Sequence, residues 1–272
     1  MANKANLAFI GAGKMVTAIV SSLLRTQSFQ ADQIICSSAN DGTSEKLAET
    51  TKIKRAGSLD EVLDFNPDLL VLGCKPQQLS TFSTELGDRK FESLVLSIMA
   101  GIPLNRLSST FPDASNIIRS MPNTPGQIGA GVTGYVFSNP PRPSDKLLIS
   151  DVVSSLGHAL ELPSEGDIDR ITAISGSGPA YLFEFTCALE EAAKEIGLSS
   201  DLAHQFALQT ITGSAKLISE SVLHPEELRN QVTSPNGTTQ AALESFRSSA
   251  LRKTVSNAVK AAYKRSIELS NA

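Results

Sequence analysis

Up to Pro163, short apolar runs alternate with helical patterns along the chain. Residues 6–10 (NLAFI), 33–37 (QIICS), 68–73 (DLLVLG), 93–98 (SLVLSI) and 115–120 (SNIIRS) are too short for helices and rich in Ile, Leu and Val. They predict strands buried on both faces of a parallel sheet. Between the first two, Met15, Ala18, Ile19, Ser22 and Leu23 recur at i, i+3, i+4, i+7 and i+8, a single helical stripe of apolar or small side chains. This βαβ rhythm predicts an α/β fold with a doubly wound, Rossmann-type sheet. Residues 139–145 (NPPRPSD) precede one further helix, and 158–162 (HALEL) reads as a last strand.

Beyond Pro163 the strand signal ends. Helical patterns rich in alanine cover residues 180–196, 202–219 and 247–269. The chain therefore divides into a dinucleotide-binding domain, residues 1–163, and an all-helical domain, residues 164–272. Helices of this kind, alone, leave much apolar surface bare, and dimerisation is the natural remedy.

Composition narrows the function. With 272 residues and 41% hydrophobic content the chain can bury a full core. A net charge of −4 with no clustered basic footprint argues against a nucleic-acid partner and for a small-molecule one. No apolar run reaches 18 residues, and residues 1–6 lack the apolar core of a signal peptide, so no membrane partner is expected. Cys36, Cys74 and Cys187 are odd in number and far apart, which indicates neither a disulfide framework nor a zinc ligand set. A reducing, cytoplasmic compartment and no metal are expected.

The candidate chemistry starts at residues 9–16 (FIGAGKMV), between the first strand and its helix. Gly11 permits a tight turn, Gly13 lets the backbone approach a pyrophosphate, and the helix amides beginning near Lys14 supply donors to an anion. Val16 occupies the third small position of G-x-G-x-x-G/A and is expected to hold the helix slightly off the strand. At the end of the second strand, residues 36–40 (CSSAN) offer the hydroxyls of Ser37 and Ser38 but no carboxylate. A carboxylate there would repel a 2′-phosphate, so NADPH is favoured as cofactor, with NADH possible and Lys46 a candidate to assist. Two more loops, 72–79 (LGCKPQQL) and 97–103 (SIMAGIP), fall at the carboxyl ends of strands, and 119–131 (RSMPNTPGQIGAG) reads as a fixed loop wall. In the helical half, Ser177 is a natural N-cap ahead of Pro179. Residues 234–237 (SPNG) form a good β-turn, and Thr238 or Thr239 can cap the helix behind it, whose free amides would welcome a carboxylate. His158, His204 and His224 are isolated from one another and read as structural; the cysteines read as packed thiols.

Taken in order, GAGKM, KPQQL, SIMAGI, IIRSMPNTP, SGSGPAY and HPEELRNQVTSPNGTT resemble the pyrroline-5-carboxylate reductases over essentially the whole chain. Two departures stand out: Val16 where that family commonly has Ala, and Asn236 where it commonly has Gly. The resemblance implies reduction of (S)-1-pyrroline-5-carboxylate to L-proline with NAD(P)H, the last step of proline biosynthesis. It implies a helical domain that interlocks with a second copy, as a homodimer or a ring of homodimers. Matched residue by residue, it implies cofactor contacts at Gly11, Ala12, Gly13, Lys14, Met15, Ser37, Ser58, Cys74, Lys75, Ala100 and Gly101, and Ser38 is expected to join them. It implies a substrate loop at Ser234, Gly237, Thr238 and Thr239, supported by Glu165 and Gln231. On that reading Ser234 and the amides of Gly237 and Thr238 hold the carboxylate, and Thr239, the catalytic candidate, hydrogen-bonds the ring nitrogen. A reductase of larger cyclic imines and a nucleotide sensor without catalysis are the alternatives.

Overall fold

The computed structural model describes residues 5–87 and 89–271. By its contacts the chain separates into two units, Met1–Ser177 with Ala262–Ala272, and Gly178–Ala261.

The first unit is built on an eight-stranded sheet in the order β3-β2-β1-β4-β5-β6-β7-β8. Its strands are β1 Leu7–Ile10, β2 Ile34–Ser37, β3 Lys54–Arg55, β4 Leu69–Leu72, β5 Leu94–Ser97, β6 Asn116–Met121, β7 Gly131–Phe137 and β8 Gly157–Glu161. Side chains alternate across it as strand geometry requires. Leu7, Phe9, Leu69, Val71, Leu94 and Leu96 enter one buried layer, and Ala8, Leu70, Leu72, Val95 and Ile117 enter the other. Helix α1 (Lys14–Arg25) lays Val16, Ile19, Val20 and Leu23 on the first layer. Helices α2 (Thr43–Thr51) to α6 follow the crossovers: α3 is Leu59–Asp64, α4 Leu79–Leu86, α5 Leu104–Thr110 and α6 Pro143–Ser154. Short α7 (Gly166–Ile171) widens into one π-helical turn at Thr172–Gly176.

Two parts of this sheet escaped the hydrophobic pattern. β3 is only two residues long. β7 lies partly within the stretch read as a loop wall, and it runs antiparallel to β6 after a 3-10 turn at Thr124–Ile128. Its glycines weaken a strand signal, yet Gly134 has a reason: a Cβ built there would lie 2.2 Å from Ile171 Cδ1. The sheet is thus mixed rather than wholly parallel.

The second unit holds α8 (Gly178–Glu195), α9 (Ser200–Glu220), α10 (Pro225–Gln231), α11 (Thr238–Ser248) and the first part of α12 (Leu251–Ser270). Ser177 does not cap α8: its backbone is helical and its amide donates to Thr172 O at 2.8 Å, closing the π turn. The helix expected over residues 247–269 is broken at Ala250, which takes a left-handed φ of 52° with neither glycine nor proline to announce it. Among the described residues of this unit only Ala203 and Ala207 are buried, while Phe183 and Phe206 are 61% and 63% exposed. An apolar surface of this extent marks an interface.

Candidate active site

A cavity of about 850 Å3 opens at the carboxyl ends of β1, β2 and β4, where an open α/β sheet takes its ligand. Its walls contain eight of the expected cofactor residues: Gly11, Ala12, Gly13, Ser37, Ser38, Ser58, Cys74 and Lys75. Gly11, at φ 98°, donates its amide to Ser37 O at 2.7 Å. A Cβ on it would come within 2.6 Å of the Gly73 carbonyl, so β1 and β4 meet here backbone to backbone. Gly13 is the N-cap of α1, and the amides of Lys14, Met15 and Val16 have no protein acceptor among the described residues. Lys14 and Met15 do not line the cavity by side chain; their contribution is this set of free donors, which suits a pyrophosphate. Val16 does not hold the helix away as expected, because its partner is also a glycine. A Cβ on Gly73 would lie 2.3 Å from Val16 Cγ2, so the space lost on the helix is recovered on β4.

Beside Ser37 and Ser38 the sequence reading missed a carboxylate. Asp41, one residue beyond the stretch read as neutral, lines the cavity together with Thr43. Its Oδ1 accepts the Thr43 hydroxyl at 2.6 Å, the Thr43 amide at 3.0 Å and the Ser38 hydroxyl at 3.2 Å. The Thr43 hydrogen bonds hold its carboxyl below the usual carboxylate range. Asp41 is therefore ionised but engaged in closing the turn ahead of α2. Lys46 is not in the wall. Ser58 caps α3, its hydroxyl accepting from Glu61 N at 3.3 Å. Gln78, from KPQQL, completes the far wall with Thr81, Phe82, Glu85 and Arg89; these last four, on or beyond α4, carried no motif.

Ala100 and Gly101 are not part of this wall. Their loop approaches it through Met99, whose Sδ lies 3.7 Å from Cys74 Sγ. Burial raises the Cys74 thiol, and it pushes Cys36 up to about 11. Both are packed thiols, whereas Cys187 is exposed on α8. The histidines sit apart. His158 is exposed on β8, His204 Nδ1 is 3.0 Å from Glu190 Oε2, and His224 caps α10 by accepting from Glu226 N at 3.2 Å.

The second constellation lies in the helical unit. Gly237 donates its amide to Ser234 O at 3.1 Å, and Asn236 takes the left-handed φ of 59° that the turn requires. Asn236 N also donates to Gln240 Oε1 at 2.8 Å, and Gln240 is in turn held by Glu244 at 2.8 Å. Gly237 is needed for space, because a Cβ there would lie 2.4 Å from Ser234 Oγ. Its amide is spent on the turn and cannot serve a ligand, contrary to the sequence expectation. Neither threonine caps α11 either, because Gly237 holds the N-cap position. The consequence is a richer site. The amides of Thr238, Thr239 and Gln240 and the hydroxyls of Ser234, Thr238 and Thr239 have no protein partner among the described residues. Gln231 ends α10, exposed, just ahead of this turn. Glu165 belongs to the first unit, where its Oε1 accepts Leu104 N at 2.7 Å and Arg119 Nη1 at 2.9 Å.

A glycine-turn cavity on a doubly wound sheet, followed by a helical unit with no closed core among the described residues, is the architecture of a Rossmann-type dinucleotide-binding protein. Residues 6–101 match the model described as NADP oxidoreductase, coenzyme F420-dependent, and residues 165–269 match that described as pyrroline-5-carboxylate reductase dimerisation. The chain is 37% identical to pyrroline-5-carboxylate reductase of Pseudomonas aeruginosa, covering 97% of this chain and 96% of that one. It is 35% identical to the Synechocystis enzyme of the same name, covering 97% of each. Among solved structures, the pyrroline-5-carboxylate reductase of Coxiella burnetii superposes with a TM-score of 0.90 at 32% identity over 98% of this chain and 99% of that one. The NADP-bound pyrroline carboxylate reductase of Plasmodium falciparum superposes with 0.83 at 28% over 99% and 100%. The chain belongs to the pyrroline-5-carboxylate reductase family.

Proposed function

We infer that this chain reduces (S)-1-pyrroline-5-carboxylate to L-proline with NADPH as the hydride donor, the closing step of proline biosynthesis. One observation carries the assignment of roles: the turn leading into α11 and its first residues present three free amides and three free hydroxyls within seven residues of chain, Ser234 to Gln240. That set is complementary to a small carboxylate next to a polar nitrogen.

The cofactor cavity fits a dinucleotide. Its volume is in the range of ligand sites, its glycines let the backbone close on a pyrophosphate, and α1 offers free amides to the phosphates. When bound, the nicotinamide supplies the hydride, and the protein supplies position and electrostatics. Ser234 and the amides of Thr238 and Thr239 hold the substrate carboxylate at the positive end of α11. The Thr239 hydroxyl hydrogen-bonds the ring nitrogen, orienting and polarising the imine. A threonine hydroxyl is too weak an acid to be the proton source, so its role is positional. Glu165 and Gln231 support the pocket. Ala100 and Gly101 face the nicotinamide half of the cofactor, across the crossover point from the adenosine side.

The functional assembly is a homodimer formed through the helical unit, with a second copy covering the apolar faces of α8 and α9, and outer helix faces available for a ring of dimers. Three free thiols fit a reducing cytoplasm. Among the described residues no helix is long and apolar enough to cross a membrane.

The carboxylate cradle is tested by comparing kcat/KM for 1-pyrroline-5-carboxylate with that for unsubstituted 1-pyrroline. The wild type favours the acid by at least about tenfold, since charge-assisted hydrogen bonds contribute on the order of 1.5–3 kcal/mol each. Ser234→Ala shrinks that preference. Equal loss on both substrates would place Ser234 away from the carboxylate.

A further inference from the structure

The loop after β5, residues 98–103, is fastened at three points that lie outside the cofactor cavity. At its start, Met99 N donates to Ser97 Oγ at 3.2 Å, and the Ser97 carbonyl accepts Ser120 Oγ at 2.9 Å. At its end, the first amide of α5, Leu104 N, donates to Glu165 Oε1 at 2.7 Å. In the middle, Gly101 takes a φ of 72°, and a Cβ there would lie 2.9 Å from Leu269 Cβ near the end of α12.

Glu165 and α12 meet in an ionic knot around a buried arginine. The Arg119 side chain, on β6, is 3% exposed. It donates to Glu165 Oε1 at 2.9 Å, to Asp169 Oδ1 at 3.0 Å and to Ser270 Oγ at 3.2 Å. Asp169 Oδ1 also accepts the hydroxyls of Ser266 at 2.8 Å and Ser270 at 3.0 Å. Arg119 Nε is buried without a partner among the described residues. A charged knot with one donor left over is a poor way to gain stability, because desolvation offsets most of the Coulomb gain. What it does well is fix relative position: one planar guanidinium sets β6, α7, the start of α5 and the last turns of α12 in a single register.

We propose that Arg119 is a positioning residue for hydride transfer. With Glu165, Asp169, Ser266 and Ser270 it clamps the loop 98–103, so that the chain's last helical turns govern the geometry of the reaction through that loop. This rests on the reading that Ala100 and Gly101 face the nicotinamide half of the cofactor. The sheet order supports the division: β1, β2 and β3 lie on one side of the crossover between β1 and β4, and β5 and β6 on the other. A loosened loop then disturbs the reacting end and leaves the adenosine end intact. Reacting atoms tolerate little misplacement, about 1 Å costing on the order of a hundredfold.

The test uses the full chain. Arg119→Lys keeps a charge and loses the fork; the double variant Ser266→Ala/Ser270→Ala leaves every charge in place and serves if the lysine variant fails to fold. Amide hydrogen exchange over residues 98–104, kcat, and the NADPH dissociation constant are measured for each. The clamp predicts exchange faster by about tenfold or more, kcat lower by about tenfold, and NADPH affinity within about twofold of wild type. Unchanged loop exchange in a folded variant overturns the clamp, and faster exchange with unchanged kcat overturns its role in positioning. In the wild type, NADPH slows exchange of the same amides. Absence of that protection would refute the cofactor-facing reading itself, whatever the variants do.

Discussion

At the scale of residues, Val16 and Gly73 make one unit. A valine in the third small position of a glycine-rich turn looks from sequence like a loosened helix, and only the structure shows the glycine across from it. The pairing predicts a specific non-additivity. Gly73→Ala places a methyl 2.3 Å from Val16 Cγ2 and costs about 1–3 kcal/mol as overpacking. Val16→Ala alone is a modest cavity change, and the double variant recovers most of the loss, with a coupling of about 1 kcal/mol or more in a thermal-unfolding cycle. Additive losses would mean that the two do not share this space. The same limit explains the other residues that were not legible. Asp41 stands one position beyond the stretch that carries the ribose signal, and Thr43, which fixes it, has no motif of its own. Gly237 was legible as a turn residue. That its amide is consumed by Ser234 O, leaving the donors to Thr238, Thr239 and Gln240, is a matter of turn geometry that composition does not encode.

At the scale of elements, the strands buried on both faces were legible because continuous Leu, Ile and Val runs have no other comfortable place. Those runs became β1, β2, β4, β5 and β6, and the expected last strand is present as β8. β7 was hidden by Gly131 and Gly134, the second of which makes room for Ile171. The break between α11 and α12 was hidden for the opposite reason: Ala250 is a strong helix former that adopts φ 52° here, its amide bonded to Arg247 O at 3.0 Å. Local propensity predicts a continuous helix, and the chain nevertheless turns at this exposed alanine. The C-terminal part of α12 was legible as a helix. That residues from Ala262 onward belong with the sheet unit, and hold the loop after β5, depends on Arg119 and Asp169, which are far from it in sequence.

At the scale of the whole molecule, the helical unit has almost no buried core among its described residues, and the proposed assembly ties its stability to a second copy. Phe206, 63% exposed on α9, is the position to perturb. Phe206→Glu replaces a burial of about 1.5–3 kcal/mol per copy with the desolvation of a charge. It is expected to weaken self-association by at least a hundredfold, read by sedimentation at micromolar concentration. An unchanged sedimentation coefficient would place the interface elsewhere. On the proposed reading the cavity of the first unit takes the cofactor and the α11 turn takes the imine acid, and a single substitution separates the two roles. On that reading Thr239→Ala removes a hydroxyl that serves only the substrate, so kcat/KM for 1-pyrroline-5-carboxylate is expected to fall by about 2–4 kcal/mol in transition-state stabilisation, while the NADPH dissociation constant stays within about twofold. A Thr239→Ala enzyme with near-normal kcat/KM, or one that loses NADPH binding in step with activity, would contradict the assignment of the α11 turn to the substrate.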